Sequence, residues 1–134
     1  MVARGIRNDN PLNIRHGKSL WVGMREKQTD KAFVQFKSRV YGYRAAFVLL
    51  KNYIGKGEDT IGKIIAKWAP PSDGNNTQGY IAHVSKSSGI DASHTLRWED
   101  KVALVDIVQS MAKMESGIIE DKAIIEEAYD LANK

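Results

Sequence analysis

A chain of 134 residues, 43% hydrophobic and 27% charged, is long enough for one ordinary globular core and too short for two. With no cysteine, it has no disulfide framework, no thiolate zinc site and no thiol nucleophile. The formal charge of +4 is unevenly held: residues 1–67 carry 14 Lys/Arg against 5 Asp/Glu, and residues 68–134 carry 6 against 11. A basic half of this kind either attracts a polyanion, such as nucleic acid or anionic cell wall, or is a solubilising surface that folding interleaves with the acidic half.

Residues 4–19, rich in Asn, Gly and Arg around Pro11, show neither helical nor strand periodicity and predict an ordered polar loop. From Leu20 to Phe36, alternating pieces such as Ala32-Phe33-Val34-Gln35-Phe36 flank the polar stretch Arg25–Lys31, which predicts a β-hairpin. Ser38 is placed to cap a core helix over Tyr41–Ile54, and Gly55 and Gly57 stop it. Thr60 caps a short helix carrying Ile61, Ile64, Ile65 and Trp68, closed by Pro70 and Pro71. A turn-rich loop, Ser72–Asn76, leads to a third helix, which Thr77 would cap and which holds Tyr80, Ile81 and Val84 up to Gly89.

The longest periodic segment starts near Trp98. Val102, Val105, Val108 or Gln109, and Ala112 mark one stripe, which Leu104, Ile107, Met111 and Met114 widen before Gly117 stops the helix. So broad an apolar surface predicts a central, buried helix. A last amphipathic helix, roughly Glu120–Ala132, turns Ile124, Ile125, Ala128 and Leu131 inward. No internal repeat is visible, and no stretch approaches the ~20 apolar residues of a membrane span. The first residues lack the apolar core of a signal peptide. The expectation is therefore synthesis in the cytoplasm, with export by lysis, packaging or a dedicated secretion machine.

Few residues can carry chemistry. His16, His83 and His94 bear no useful spacing to one another or to an acidic pair, so neither a histidine metal site nor a Ser-His-Asp triad is expected. Phosphate-binding glycine loops are missing, and neither metal nor cofactor is expected. Glu115 stands out because it follows the apolar stretch Ile107–Met114 at the C-terminal end of the predicted central helix. Burial and the negative end of the helix dipole both disfavour the charged carboxylate, and glycoside cleavage needs such a proton donor. Position alone leaves a solvated glutamate at a frayed helix end equally open.

The segment Ala112-Lys113-Met114-Glu115-Ser116-Gly117 resembles the Glu-Ser-Gly signature of lytic transglycosylases and flagellar-type glucosaminidases, in which the glutamate closing a core helix is the catalytic acid. In those families an Asn-rich stretch, a hairpin, an aromatic segment and a Thr-x-x-Tyr helix follow the glutamate. Here Asn8–Arg15, Trp21-Val22-Gly23, Phe33–Phe36 and Thr77–Ile81 precede it, an order that suggests a circular permutation. Nearly the whole chain also resembles a group of short phage and prophage proteins, described as virion-associated or structural with lysozyme-like character. The matching blocks are Arg4–Arg15, Phe33–Ala45, Trp68-Ala69-Pro70 with Asn76, Thr77 and Tyr80, and Met111–Gly117. Leu12 and Ser116 depart from the glycine and asparagine more common in that group.

The resemblance implies a single lysozyme-like α+β domain over residues 1–134, mostly α, with a small β-hairpin and permuted order. It implies cleavage of peptidoglycan strands with Glu115 as general acid and Tyr80 facing it. The alternative is a non-catalytic virion or structural protein that binds glycan or assembly partners. Asn8, Asn10, Asn13 and Arg15 are candidates to line a glycan cleft; Asx turns that satisfy their own loop are the competing role for the asparagines. Asn76 and Thr77 join the candidate binding set. Trp21 and Trp68 either stack on sugar rings or belong to the core. Glu26 and Asp30, on the expected hairpin, are candidates for a second carboxylate, which would favour hydrolysis over an intramolecular, anhydro-forming transfer. The expected partners are peptidoglycan and phage-particle or secretion-apparatus proteins, acting at the cell wall, in the periplasm or in a phage particle. Nucleic acid is set aside because no recognition helix or basic-aromatic interleaving supports it.

Overall fold

The computed structural model describes residues 2–134, and every regular element in it is helical. A single turn, α1 (Arg4–Arg7), is followed by a long irregular segment. Then come α2 (Arg39–Gly55), α3 (Ile61–Trp68), a 3-10 turn (Pro71–Asp73), α4 (Thr77–Ser88), α5 (Lys101–Ser116) and α6 (Lys122–Ala132). α2 packs most extensively on α6, α5 lies against both α4 and α6, α3 rests on α4, and α1 touches α5. The core is built from Tyr43, Phe47 and Leu50 of α2, Ile61, Ile64 and Ile65 of α3, Leu104, Ile107, Val108 and Met111 of α5, and Ile125 and Ala128 of α6.

Local chemistry explains the helix limits. The Thr60 hydroxyl accepts from the Lys63 amide at 3.1 Å, and the Asp121 carboxylate accepts from the Ala123 amide at 3.0 Å, each satisfying a free N–H of a first turn. Asn76, rather than Thr77, caps α4 by accepting from the Gly79 amide at 3.0 Å. Gly89 and Gly117 end α4 and α5 in the left-handed region, at φ 74° and 71°, where a side chain would be strained. α5 is buried through its middle, from Leu104 to Ala112, whereas Val102 and Met114, expected on its apolar surface, are exposed. On α6, Tyr129 is buried and Leu131 only partly so.

The expectation of an α+β, lysozyme-like domain with a small β-hairpin, and with it the circular permutation, is corrected by the structure. Among the described residues there is no strand, only two isolated bridges, Arg15 with Phe33 and Met24 with Phe36. The physical reason lies in the polar side chains of residues 20–36. The Val34 amide donates to the Ile14 carbonyl at 3.0 Å, the Phe36 amide to the Asn8 carbonyl at 2.9 Å, and the Lys37 amide to the Gly23 carbonyl at 2.8 Å. The expected arms meet only around the Met24–Phe36 bridge, where the Arg25 amide also donates to the Gln35 carbonyl, and the remaining amides go to the N-terminal segment. Gln28 Nε2 donates to the carbonyls of Arg25 and Gln35, and its Oε1 accepts from the Gln35 amide. Side-chain amides here do what a ladder would otherwise do. The alternation is nevertheless real, since Val34 and Phe36 enter the core together with Leu12 and Ile14.

Candidate functional site

Glu115 occupies the last turn of α5, where Gly117 turns the chain away. Ser116 donates from Oγ to the Pro11 carbonyl at 2.7 Å, so the end of α5 is tied to the N-terminal segment. Asn13, at φ 54°, adopts a left-handed conformation that asparagine tolerates better than most residues. From there Asn13 Nδ2 donates to Glu115 Oε1 at 3.2 Å and to the Glu115 carbonyl at 3.3 Å. The main-chain contact fixes which way the amide faces, because a carbonyl only accepts. On the other side the hydroxyl of Tyr80, in α4, donates to Glu115 Oε2 at 3.0 Å.

Burial pushes the Glu115 carboxyl above its ordinary value, against the opposing effects of the Asn13 and Tyr80 hydrogen bonds and the nearby Arg15 charge. Desolvation penalises the ionised form more than two donors and a cation restore it. Tyr80, only 6% exposed, has its phenol pushed well upward, first by burial and then by the Glu115 charge. It therefore remains a proton-bearing donor across the working pH range.

Glu115 opens on a cavity of about 120 Å³ shared with Asn13, Arg15, Phe33, Trp68 and Asp73. The Arg15 guanidinium lies 5.1 Å from the Phe33 ring centre. Trp68 is oriented by donating from Nε1 to the Leu12 carbonyl at 3.3 Å and by an edge contact with Tyr53. A second cavity, of about 300 Å³, continues past Trp68 and includes Trp21.

The other candidates lie elsewhere. Asn8, 1% exposed, donates to Asp30 and accepts from Gln35. Asn10 donates to the carbonyls of Ile14 and Val34 and accepts from the Ile14 amide. Asn76 is the α4 cap, and Thr77 donates from Oγ1 to the Ala69 carbonyl at 2.6 Å. None of these four lines the Glu115 cavity. Glu26 is exposed and outside it.

The Asp30 side chain is 7% exposed. It accepts from Arg4 through both oxygens, from Asn8 and from the amides of Ala32 and Phe33. The Arg4 guanidinium, aided by these donors, holds the Asp30 carboxyl far below the usual carboxylate range. It organises the loop and lines a separate cleft with Arg4 and Arg7. The carboxylate that does share the Glu115 cavity is Asp73, on the turn after α3. The only sequence signal for it was its place in the turn that follows Trp68. Among the described residues no group of three or more His, Asp or Glu side chains could hold a metal ion, and no helix is long and apolar enough to cross a membrane.

Fold and site together define a small helical protein that closes a core helix on a protonatable glutamate, held between a phenol and a carboxamide at a polar groove. No protein-family model matches the chain. The chain is 40% identical over 119 residues to Protein P5 of Pseudoalteromonas phage PM2, an alignment covering 86% of this chain and 72% of that protein. It belongs to the family of this phage protein.

Proposed function

We propose that the protein is a phage or prophage component that engages the glycan strand of peptidoglycan at the Glu115 cavity, with Glu115 as general acid for cleavage of the β-1,4 linkage. The observation that carries the proposal is the environment of Glu115: a carboxyl raised by burial, oriented by Asn13 and Tyr80, and open to a groove. In this reaction the protonated carboxyl gives its proton to the glycosidic oxygen as the bond to the anomeric carbon breaks. The resulting carboxylate then accepts the proton of the attacking hydroxyl. If that hydroxyl is the sugar's own, an anhydro end forms; if it is water, a reducing end forms. Either way Glu115 regains its proton. Asp73, in the same cavity, is the side chain placed to assist water.

Kinship with a phage protein favours a second role, a particle component that binds glycan or assembly partners without turnover, ahead of the enzymatic one. Digestion of purified peptidoglycan by the wild type and by Glu115→Gln, with mass analysis of the soluble products and co-sedimentation on the insoluble polymer, separates the two. Release by the wild type alone supports the acid. Co-sedimentation of both proteins with release by neither supports the binding component, and equal release by both removes Glu115 from the chemistry.

A further inference from the structure

Among the described residues only one ion pair, Arg39 with Glu120, joins residues 1–67 to residues 68–134; the others close within one half. Pairing across the halves therefore leaves the surplus of 14 Lys/Arg over 5 Asp/Glu in the first half almost intact. Part of it gathers at a cleft of about 520 Å³ lined by polar side chains alone, Arg4, Arg7 and Lys31 among them. Asp30, the one carboxylate lining that cleft, has both oxygens taken by Arg4, Asn8 and the Ala32 and Phe33 amides. Arg7 and Lys31 are exposed, and their side chains make no ion pair or hydrogen bond among the described residues. Beside the cleft, Arg4 and Arg15 both lie against the Phe33 ring, 4.6 and 5.1 Å from its centre. Their charges are thus within about one Debye length of each other, ~10 Å at 0.1 M salt. Through Arg4 the cleft and the Phe33 cluster form one basic face, on which Arg7, Arg15 and Lys31 have no anion of their own.

Independently of the glycan reading, we infer that this face is a second binding site, for the phosphate backbone of duplex nucleic acid held without regard to base sequence. Clustered cations attract a polyanion, and guanidinium forks match phosphate oxygens. In the sequence Arg4, Arg15 and Phe33 are far apart, and the fold supplies the basic-aromatic cluster that their order does not show. Two guanidinium groups already occupy the half-buried Phe33 ring, so it offers no free face for base stacking, the device of single-strand binders. No apolar side chain lines the cleft, so nothing there enters a lipid layer. Contacts to phosphates alone suit a duplex gripped by its backbone.

Fluorescence anisotropy of a short labelled DNA duplex, titrated with the protein over a salt series, tests this. Three free cations, Arg7, Arg15 and Lys31, predict that log K falls with log salt at a slope of about −2.7. Arg7→Gln combined with Lys31→Gln, at exposed positions where folding is not at stake, is expected to weaken binding at least about tenfold at low salt and to bring the slope to about −0.9. Lys56→Gln combined with Lys86→Gln removes the same charge from exposed residues outside the cleft and is expected to keep the wild-type slope. No binding of the duplex at low salt, or equal losses in the two double variants, overturns the inference. Tighter binding to phosphatidylglycerol vesicles than to the duplex, lost in the Arg7 and Lys31 double variant, overturns it in favour of a lipid-headgroup site. Release of glycan is a separate readout, so failure at this face and failure at Glu115 are told apart.

Discussion

Replacing Tyr80 by Phe tests the balance at Glu115 directly. The phenol donates to Oε2 at 3.0 Å and is one of the influences that lower the Glu115 carboxyl against its burial. A hydrogen bond to a charged group contributes about 1.5–3 kcal/mol, and a neutral pair about 0.5–1.5 kcal/mol. Protonated Glu115 retains the weaker version, so the substitution removes about 1–1.5 kcal/mol more from the carboxylate than from the acid. At about 1.4 kcal/mol per unit, the Glu115 titration should move up by about one unit.

The carboxyl-carbon NMR signal of Glu115, assigned by its loss in Glu115→Gln, reports the midpoint. A midpoint that is unchanged or lower in Tyr80→Phe would refute the reasoning. Stability should follow with a definite sign. Because the folded carboxyl titrates above its unfolded value, the folded state binds more protons between the two values. Stability is therefore greatest below the unfolded value and falls as pH rises through the folded one. In Tyr80→Phe that falling window should extend further upward.

Glu115→Gln should reduce any release of soluble glycan at least about 100-fold, the lower range for a general acid, while its thermal midpoint holds or rises because a buried carboxylate is gone. Asp30→Asn should lower stability at neutral pH and flatten the acid limb of the stability profile. The wild-type carboxyl is depressed, so its contribution is present above the unfolded value and lost as pH falls; chemical denaturation at a series of pH values checks this. Gly5→Ala should cost about 1–3 kcal/mol by overpacking, read by urea denaturation, since its Cβ would collide with Ser116 Oγ and lie 2.9 Å from the Asn10 carbonyl oxygen. Tyr43→Phe should cost about 1–3 kcal/mol by leaving buried Glu120 short of a donor, because the Tyr43 hydroxyl donates to Glu120 Oε1 at 3.0 Å; the thermal midpoint measures it.

The helices were legible because their signals are local. Thr60, Gly89 and Gly117 do at the helix ends what their side chains, or lack of one, dictate. Residues 20–36 misled for a related reason. Alternation reports which side chains are buried, not whether a neighbouring backbone is free to pair, and here Gln28, Gln35 and Asp30 bond to that backbone instead. The motif resemblance sets Tyr80 facing Glu115, and the two side chains are in hydrogen-bond contact. Asn13, a cleft candidate from its polarity, does line the Glu115 cavity, and its amide points at the carboxylate. That contact depends on a positive φ and on a partner 102 positions away, neither of which leaves a trace in local spacing.

The position of Asn13 links stability to chemistry. The N-terminal segment meets the end of α5 at three points: Gly5 beside Ser116, the Pro11 carbonyl on the Ser116 hydroxyl, and Asn13 on Glu115. Undocking that segment removes the Asn13 donor, which by itself would raise the Glu115 carboxyl. It also admits water, which would lower it. Burial is the largest influence on Glu115, so water entry should win and return Glu115 toward an ordinary carboxylate. The upward displacement of the Glu115 carboxyl therefore depends on the Asn-rich segment staying seated. The polar network through Asn8, Asn10, Gln35 and Asp30, though it lines no part of the Glu115 cavity, supports the environment of Glu115 by holding that segment in place.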